Sequence, residues 1–235
     1  MKNIRAFVAF NSIKMNLKPF KTVAFSMMLF VFSAQHLKAQ DIDGVSSFLV
    51  AGVSMDIPKN NKLLIYGGFS PTDKVKALLV LPNFRINKYL TLTPGYTHVN
   101  VDLDNGSTLV ENQLLAMATL SFPIAKNWTI ADRNMYFHRF RTGDDLSFYR
   151  NRLGIIHKTE LFKKQASVFL HNEVYLSLDN GQFTRNRVIL GGDIKLLKWL
   201  TPQIMMMYQS DKATGNKILG WLVLTVPLEN FGLFK

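Results

Sequence analysis

The 235-residue chain has no cysteine. That excludes disulfides, thiolate metal sites and a cysteine nucleophile, and it is compatible with an oxidising compartment. Beyond residue 40 no run of eighteen apolar residues occurs, so no membrane-spanning helix is expected. Proline- or serine-rich linkers and low-complexity tracts are missing too, and the roughly 195 residues after position 40 suffice for one domain. There is no G-x-S-x-G, no H-E-x-x-H and no phosphate-cradling glycine loop. No histidine or carboxylate cluster has metal-ligand spacing, so neither a metal nor a cofactor is expected.

The first forty residues lack acids altogether, and this absence points to what is present there. Lys2, Arg5, Lys14, Lys18 and Lys21 precede the apolar run Thr22 to Ser33, and Leu37-Lys38-Ala39-Gln40 offers a small residue at a plausible cleavage point. The run is too short to span a bilayer and sits where the core of an export signal sits. Residues 1–40 are therefore expected to be a cleaved export signal, with Met1 or Met15 as the start and a retained anchor as the alternative. Six of the 28 basic residues lie in this segment. Taking 6 from 28 leaves 22 basic against 16 acidic residues, +6 instead of +12. Half of the basic excess belongs to targeting, and without a nucleic-acid-binding motif it does not indicate nucleic acid as a partner.

From Ala51 to Pro227 the chain repeats runs of about 10–14 residues with apolar side chains at every second position. Polar turns separate them, among them Asp104-Asn105-Gly106-Ser107, Gly143-Asp144-Asp145, Asp179-Asn180-Gly181-Gln182 and Ala213-Thr214-Gly215-Asn216. The spacing predicts strands over 46–56, 62–70, 75–86, 89–102, 108–123, 128–141, 147–159, 165–178, 183–197, 201–211 and 217–228. Soluble strands average about 5–6 residues, whereas a tilted membrane strand needs about 9–11. The expected fold is all-β, an antiparallel up-and-down transmembrane β-barrel over residues 41–235. Single-chain bacterial barrels have even strand numbers with both termini on the periplasmic side. About ten strands are expected, with twelve as the alternative, and segment 46–56 has no assured place in the wall. A soluble sandwich or small-ligand barrel, with the apolar face inward, is the competing fold. Tyr89, Trp128, Phe148, Tyr149, Trp199 and Trp221 lie near turns and suit interfacial girdles or ordinary packing.

Several strands divide into an apolar and a charged face. Val168, Leu170, Val174 and Leu176 oppose Ser167, His171, Glu173 and Tyr175; Val188, Leu190 and Ile194 oppose Arg185, Arg187 and Asp193. Paired positions in a hairpin sum to a constant set by the turn. The turns near 125, 163 and 180 set Glu111 opposite Arg139 and Arg141, Arg152 opposite Glu173, and Glu173 beside Arg187. The expected lumen charge network is Glu111, Arg133, Arg139, Arg141, Arg150, Arg152, Glu173, Arg185 and Arg187. One group is Glu111, Arg139, Arg141 and Arg150, and a second is Arg152, Glu173 and Arg187. An unpaired charge in a narrow lumen costs several kcal/mol, so these residues read first as a polar filling that braces the barrel. Their basic excess reads second as an anion-preferring constriction.

The segments Asp132-Arg133-Asn134 with Arg139, Phe148-Tyr149-Arg150-Asn151-Arg152-Leu153, Asn172-Glu173, and Arg185-Asn186-Arg187 followed by Gly191 resemble the core pattern of the bacterial family known as domain of unknown function 2490. The likeness covers most of the chain after the signal and is best over 111–225. Met135 and Phe137 depart from it, at positions where the pattern has Arg and Glu. The resemblance implies an exported outer-membrane barrel and no known reaction.

Catalysis is the weakest expectation. By register His138 falls near Arg150 and Asn151 and away from any serine. His171 and Ser167 share a face but lie roughly 13 Å apart along the strand. Gly191-Gly192 reads as a bend or bulge. The chain is thus expected to be an integral outer-membrane protein of a Gram-negative bacterium, of unknown molecular role and not an enzyme. The alternatives are a narrow anion-preferring pore and a lipid-modifying enzyme. Its expected partners are outer-membrane lipid and, during insertion, the barrel-assembly machinery.

Overall fold

The computed structural model describes residues 42–231. Residues 1–40, expected to be an export signal, and the choice of start lie outside the described residues. Eleven strands follow one another: β1 (Gly44–Ile57), β2 (Asn61–Ser70), β3 (Val75–Arg85), β4 (Leu90–Asp102), β5 (Thr108–Ala125), β6 (Trp128–Arg141), β7 (Leu146–Leu161), β8 (Lys164–Ser177), β9 (Gln182–Ile194), β10 (Thr201–Asp211) and β11 (Gly215–Pro227), with a short 3-10 helix at Leu228–Phe231. All eleven periodic segments are strands. The pattern overran at β9, which stops at Ile194, because Leu196 N turns back onto Ile194 O at 2.8 Å.

The strands close into one barrel in which each pairs with its neighbours in sequence. Every pairing is antiparallel except β1 with β11, which run parallel from Gly44↔Lys217 to Ser54↔Pro227. This seam explains why the count lies between the two even numbers expected. Antiparallel closure demands an even count, whereas the slanted hydrogen bonds of a parallel pair close an odd one. Segment 46–56, which lacked a place, is a full member of the wall. Its start is tied to the β10–β11 turn, where Asp43 N donates to Asn216 O (2.8 Å) and Asn216 N to Asp43 Oδ2 (2.6 Å).

The turns have the conformations their residues favour. Gly106, Gly143, Gly181 and Gly215 all take positive φ, the region open to glycine at no steric cost. At the other end of the barrel the two-residue β7–β8 connection is built from Phe162 and Lys163, both left-handed at φ 50° and 59°. This is the primed geometry that matches strand twist, here adopted without glycine.

The alternation resolves into an inner and an outer face. Buried strand residues such as Ser70, Thr97, Glu111, Phe137, Glu173, Ile189 and Leu219 lie on one face. Exposed large apolar residues such as Leu49, Leu78, Leu114, Phe140, Leu153, Leu190, Ile204 and Met206 lie on the other. The inner wall is uneven. On β1–β4 it carries many short side chains, including Ser46, Gly52, Gly68, Ser70, Thr93 and Thr97, beside larger ones such as Phe48 and Tyr66, whereas on β5–β9 it carries most of the arginines. Phe148 and Trp221 belong inside and not to a girdle: Phe148 stacks on Phe137 (5.2 Å between centroids) and Trp221 on Phe48 (4.7 Å). Gly191 is no bulge. It pairs with Phe169 in unbroken register, and a Cβ there would meet the Phe169 ring at 2.6 Å.

Candidate functional site

The inner face of β5–β10 is layered by register. Phe169, Ile189, Met207 and Leu219 form one apolar cluster, and Met135, Phe137 and Tyr175 form another with Leu115, Met117 and Phe148. Met135 and Phe137, where the sequence departs from the family pattern, thus fill the second cluster with apolar volume. The charged layer lies between the clusters.

Glu173 is its centre and is 0% exposed. Register sets it between Arg152 on β7 and Arg187 on β9. Its Oε2 accepts Arg152 Nε at 2.5 Å and lies 3.7 Å from Arg150 Nε; its Oε1 accepts Arg187 Nη1 at 3.4 Å and Tyr175 OH at 2.8 Å. The Tyr175 oxygen in turn accepts from Arg150 Nη1 (3.1 Å) and Arg187 Nη1 (2.8 Å), and three guanidiniums, those of Arg150, Arg185 and Arg187, lie 5.1–5.6 Å from its ring centroid. A phenol serves this position because it donates to the carboxylate while its oxygen and ring face accept cations.

All nine residues of the sequence-derived network face inward, but they group differently. Glu111 accepts Arg139 Nη2 at 2.5 Å and also bonds the Gln113 amide. Arg141 is directly opposite Glu111 yet turns its Nε to Asp144 O (2.8 Å) at the rim. Arg150 leaves this group for Glu173, because β6–β7 pairing sets Arg139 opposite Leu146 and Arg150 opposite Met135. Arg185 pairs with Asp211 (2.5 Å), and Arg187 Nε donates to Gln209 Oε1 (2.7 Å). Sequence reasoning missed Asp211, Gln209 and Tyr175 as members. Their signal was available, since Met207, Gln209 and Asp211 continue the inward alternation of β10.

The outer face carries several polar sets, among them Tyr96, His98 and Asn112 on β4–β5, Asn172 with Asn186 on β8–β9, and two on β6–β7. On β6–β7, Asp132 accepts Asn134 Nδ2 (3.0 Å) and Asn151 Nδ2 (2.6 Å), while Asn134 Oδ1 accepts the Tyr149 hydroxyl and Asn151 Nδ2 (3.1 Å). Near the β6–β7 turn, His138 pairs with Ser147, correcting the expectation that no serine is close. His138 Nδ1 lies 2.8 Å from Ser147 Oγ and its Nε2 3.5 Å from Asp145 Oδ2. The expectation failed because the β6–β7 register was displaced by the loop length assumed. Ser–His–Asp is the connectivity of an acyl-transfer triad, but Asp145 is half exposed and water competes for both contacts. At the rim, Lys74 Nζ meets Asp104 Oδ1 at 2.8 Å, and this hydrogen bond holds the Asp104 carboxyl below its ordinary pKa. Among the described residues no group of three or more His, Cys, Asp or Glu could hold a metal ion.

The family model described as Protein of unknown function (DUF2490) matches residues 74–219. No curated protein matches. Among solved structures, a NanC porin in a rhombohedral crystal form is similar at a TM-score of 0.46 and 10% identity, covering 71% of this chain and 81% of that one.

Proposed function

The chain belongs to the DUF2490 family of proteins of unknown function, and from that premise we propose that it is an integral outer-membrane β-barrel whose lumen is braced and largely filled by arginine, glutamate and aromatic side chains. The observation that carries this reading is the polarity of the wall. Large apolar side chains cover the outside and carboxylates are buried inside, the reverse of a water-soluble barrel. Strand length agrees. Eleven residues at about 3.3 Å each, tilted about 40°, span about 28 Å, close to the apolar band of roughly 25 Å in such proteins. On this reading residues 1–40 export the chain through a cleaved signal, and the barrel-assembly machinery inserts it. Membrane fractionation tests it. The protein is expected with outer membrane, migrating faster in detergent gels before boiling than after; recovery as a folded, surfactant-free periplasmic monomer would overturn it.

A second reading, a narrow anion-preferring pore, is favoured by the excess of guanidinium over carboxylate around Glu173. It requires ion-selective conductance steps in planar bilayers. A third, lipid modification at the rim, is favoured by the His138–Ser147 contact. It requires lipid turnover that Ser147→Ala abolishes.

A further inference from the structure

Glu173 is the one carboxylate among four inward guanidiniums, and it is already shared by Arg150, Arg152 and Arg187. Arg133 makes neither a hydrogen bond nor an ion pair with it. Its cross-strand neighbours are Thr119 on β5 and Arg152 on β7, so it faces a like charge across the ladder. Like charges directly opposite are destabilising, and more so away from water. Among the described residues Arg133 has no hydrogen-bonding or ion-pairing partner, and it is half-buried. Arg152 engages Glu173 through Nε alone, which leaves its two Nη groups without acceptors. Arg150 Nε and His171 Nδ1 are buried without hydrogen bonds.

The wall beside these donors is hollowed. One inward step along the strands, register aligns Ser121, Ala131 and Gly154, so no long side chain of β5–β7 rises there. Gly154 is covered by the imidazole of His171, its cross-strand neighbour on β8. By register Arg133, Arg152, Thr119 and Ser121 surround Ala131 on the inner face, and neither hydroxyl is engaged in a hydrogen bond. Directly paired strand positions lie about 4.5–5.5 Å apart, so these donors are close enough to reach one small acceptor group.

We infer that the inner wall of β5–β8 binds a tetrahedral oxyanion of the phosphate class between the guanidiniums of Arg133 and Arg152, with the Thr119 and Ser121 hydroxyls completing the shell. A phosphate dianion suits the surplus: it bridges two guanidiniums in fork geometry and leaves oxygens for both hydroxyls. The ligand is a soluble phosphate or phosphate monoester entering through the lumen, because a lipid phosphate lies on the other side of the wall. The site rests on the barrel reading and not on the pore reading, since an ion can bind in a lumen that does not conduct.

The test uses the protein refolded in detergent, its barrel verified by heat-dependent gel migration before any ligand is added. Thermal unfolding and calorimetric titration are then run with inorganic phosphate against chloride at equal ionic strength. Phosphate is expected to raise the melting temperature of wild type. Arg133→Gln should weaken phosphate binding at least tenfold while melting no lower than wild type in chloride, because it relieves the Arg133–Arg152 repulsion. A purely structural arginine would give the opposite sign in chloride. Thr119→Val and Ser121→Ala, which leave the charges intact, should each weaken binding several-fold, and Lys76→Gln at the rim should not. A folded wild-type barrel that does not respond to phosphate, or an Arg133→Gln barrel that binds like wild type, would overturn the site. A failed refolding would count against the barrel reading instead.

Discussion

Glu173 shows how one residue can determine the fate of several. Three arginines and a tyrosine are oriented by its two oxygens, and it has no exposed surface. Replacing it with glutamine keeps the volume but leaves three guanidiniums without a counter-charge. Glu173→Gln is therefore expected to destabilise the barrel by about 3–5 kcal/mol, the usual cost of breaking one side of a buried ion pair. Denaturant unfolding in micelles measures it. A double-mutant cycle with Arg152→Gln should show coupling of at least about 1 kcal/mol, and an additive cycle would refute the 2.5 Å contact. This pair was legible in the sequence, because a two-residue turn at Phe162-Lys163 fixes the sum of paired positions. The place of Arg150 was not, because the longer β6–β7 turn leaves its register open by more than one step. Tyr175 was legible as inward-facing but not as the hub, since alternation gives the face of a residue and not its partners.

At the scale of the element, β6 and β7 interrupt the apolar outer face with a four-residue polar network. Their inner face is charged, yet their outer face holds Asp132, Asn134, Tyr149 and Asn151 bonded to one another. On the proposed membrane reading this face meets hydrocarbon, where a carboxylate is costly, and its neighbours supply the donors that let it persist. Removing one donor is worse than removing the whole set, since an unsatisfied polar group carries the full desolvation penalty. Asn151→Ala is expected to cost about 1–3 kcal/mol. The triple change of Asp132, Asn134 and Asn151 to leucine should be neutral or stabilising in lipid. A triple variant less stable than Asn151→Ala in bilayers would show that this face does not meet lipid. Alternation revealed the strands because side-chain period is a local property. It could not assign these four residues to a network, which exists only once β6 and β7 are paired.

The closure of the whole molecule is what the chain's local pattern conceals. β1 has the same periodicity as its neighbours, and nothing within residues 44–57 says that its second partner is β11, or that the two run parallel. The usual even count would have excluded β1 from the wall. The parallel seam admits it, and it follows that β1 begins at the barrel end where the β10–β11 turn lies, while β11 finishes at the end of the β1–β2 turn. The absence of cysteine makes this seam testable without background. Val53 and Val226 are direct partners across it, and both point outward. A Val53→Cys/Val226→Cys variant, folded and then oxidised, should form an internal disulfide, because paired strand positions fall within the Cα separation of roughly 4.4–6.8 Å that the bond requires. A Val53→Cys/Leu222→Cys variant should not, because Leu222 pairs with Leu49, four residues and about 13 Å away along the strand. Cross-linking of the second pair but not the first would mean a shifted seam. Cross-linking of neither would place β1 outside the wall and return the barrel to ten strands.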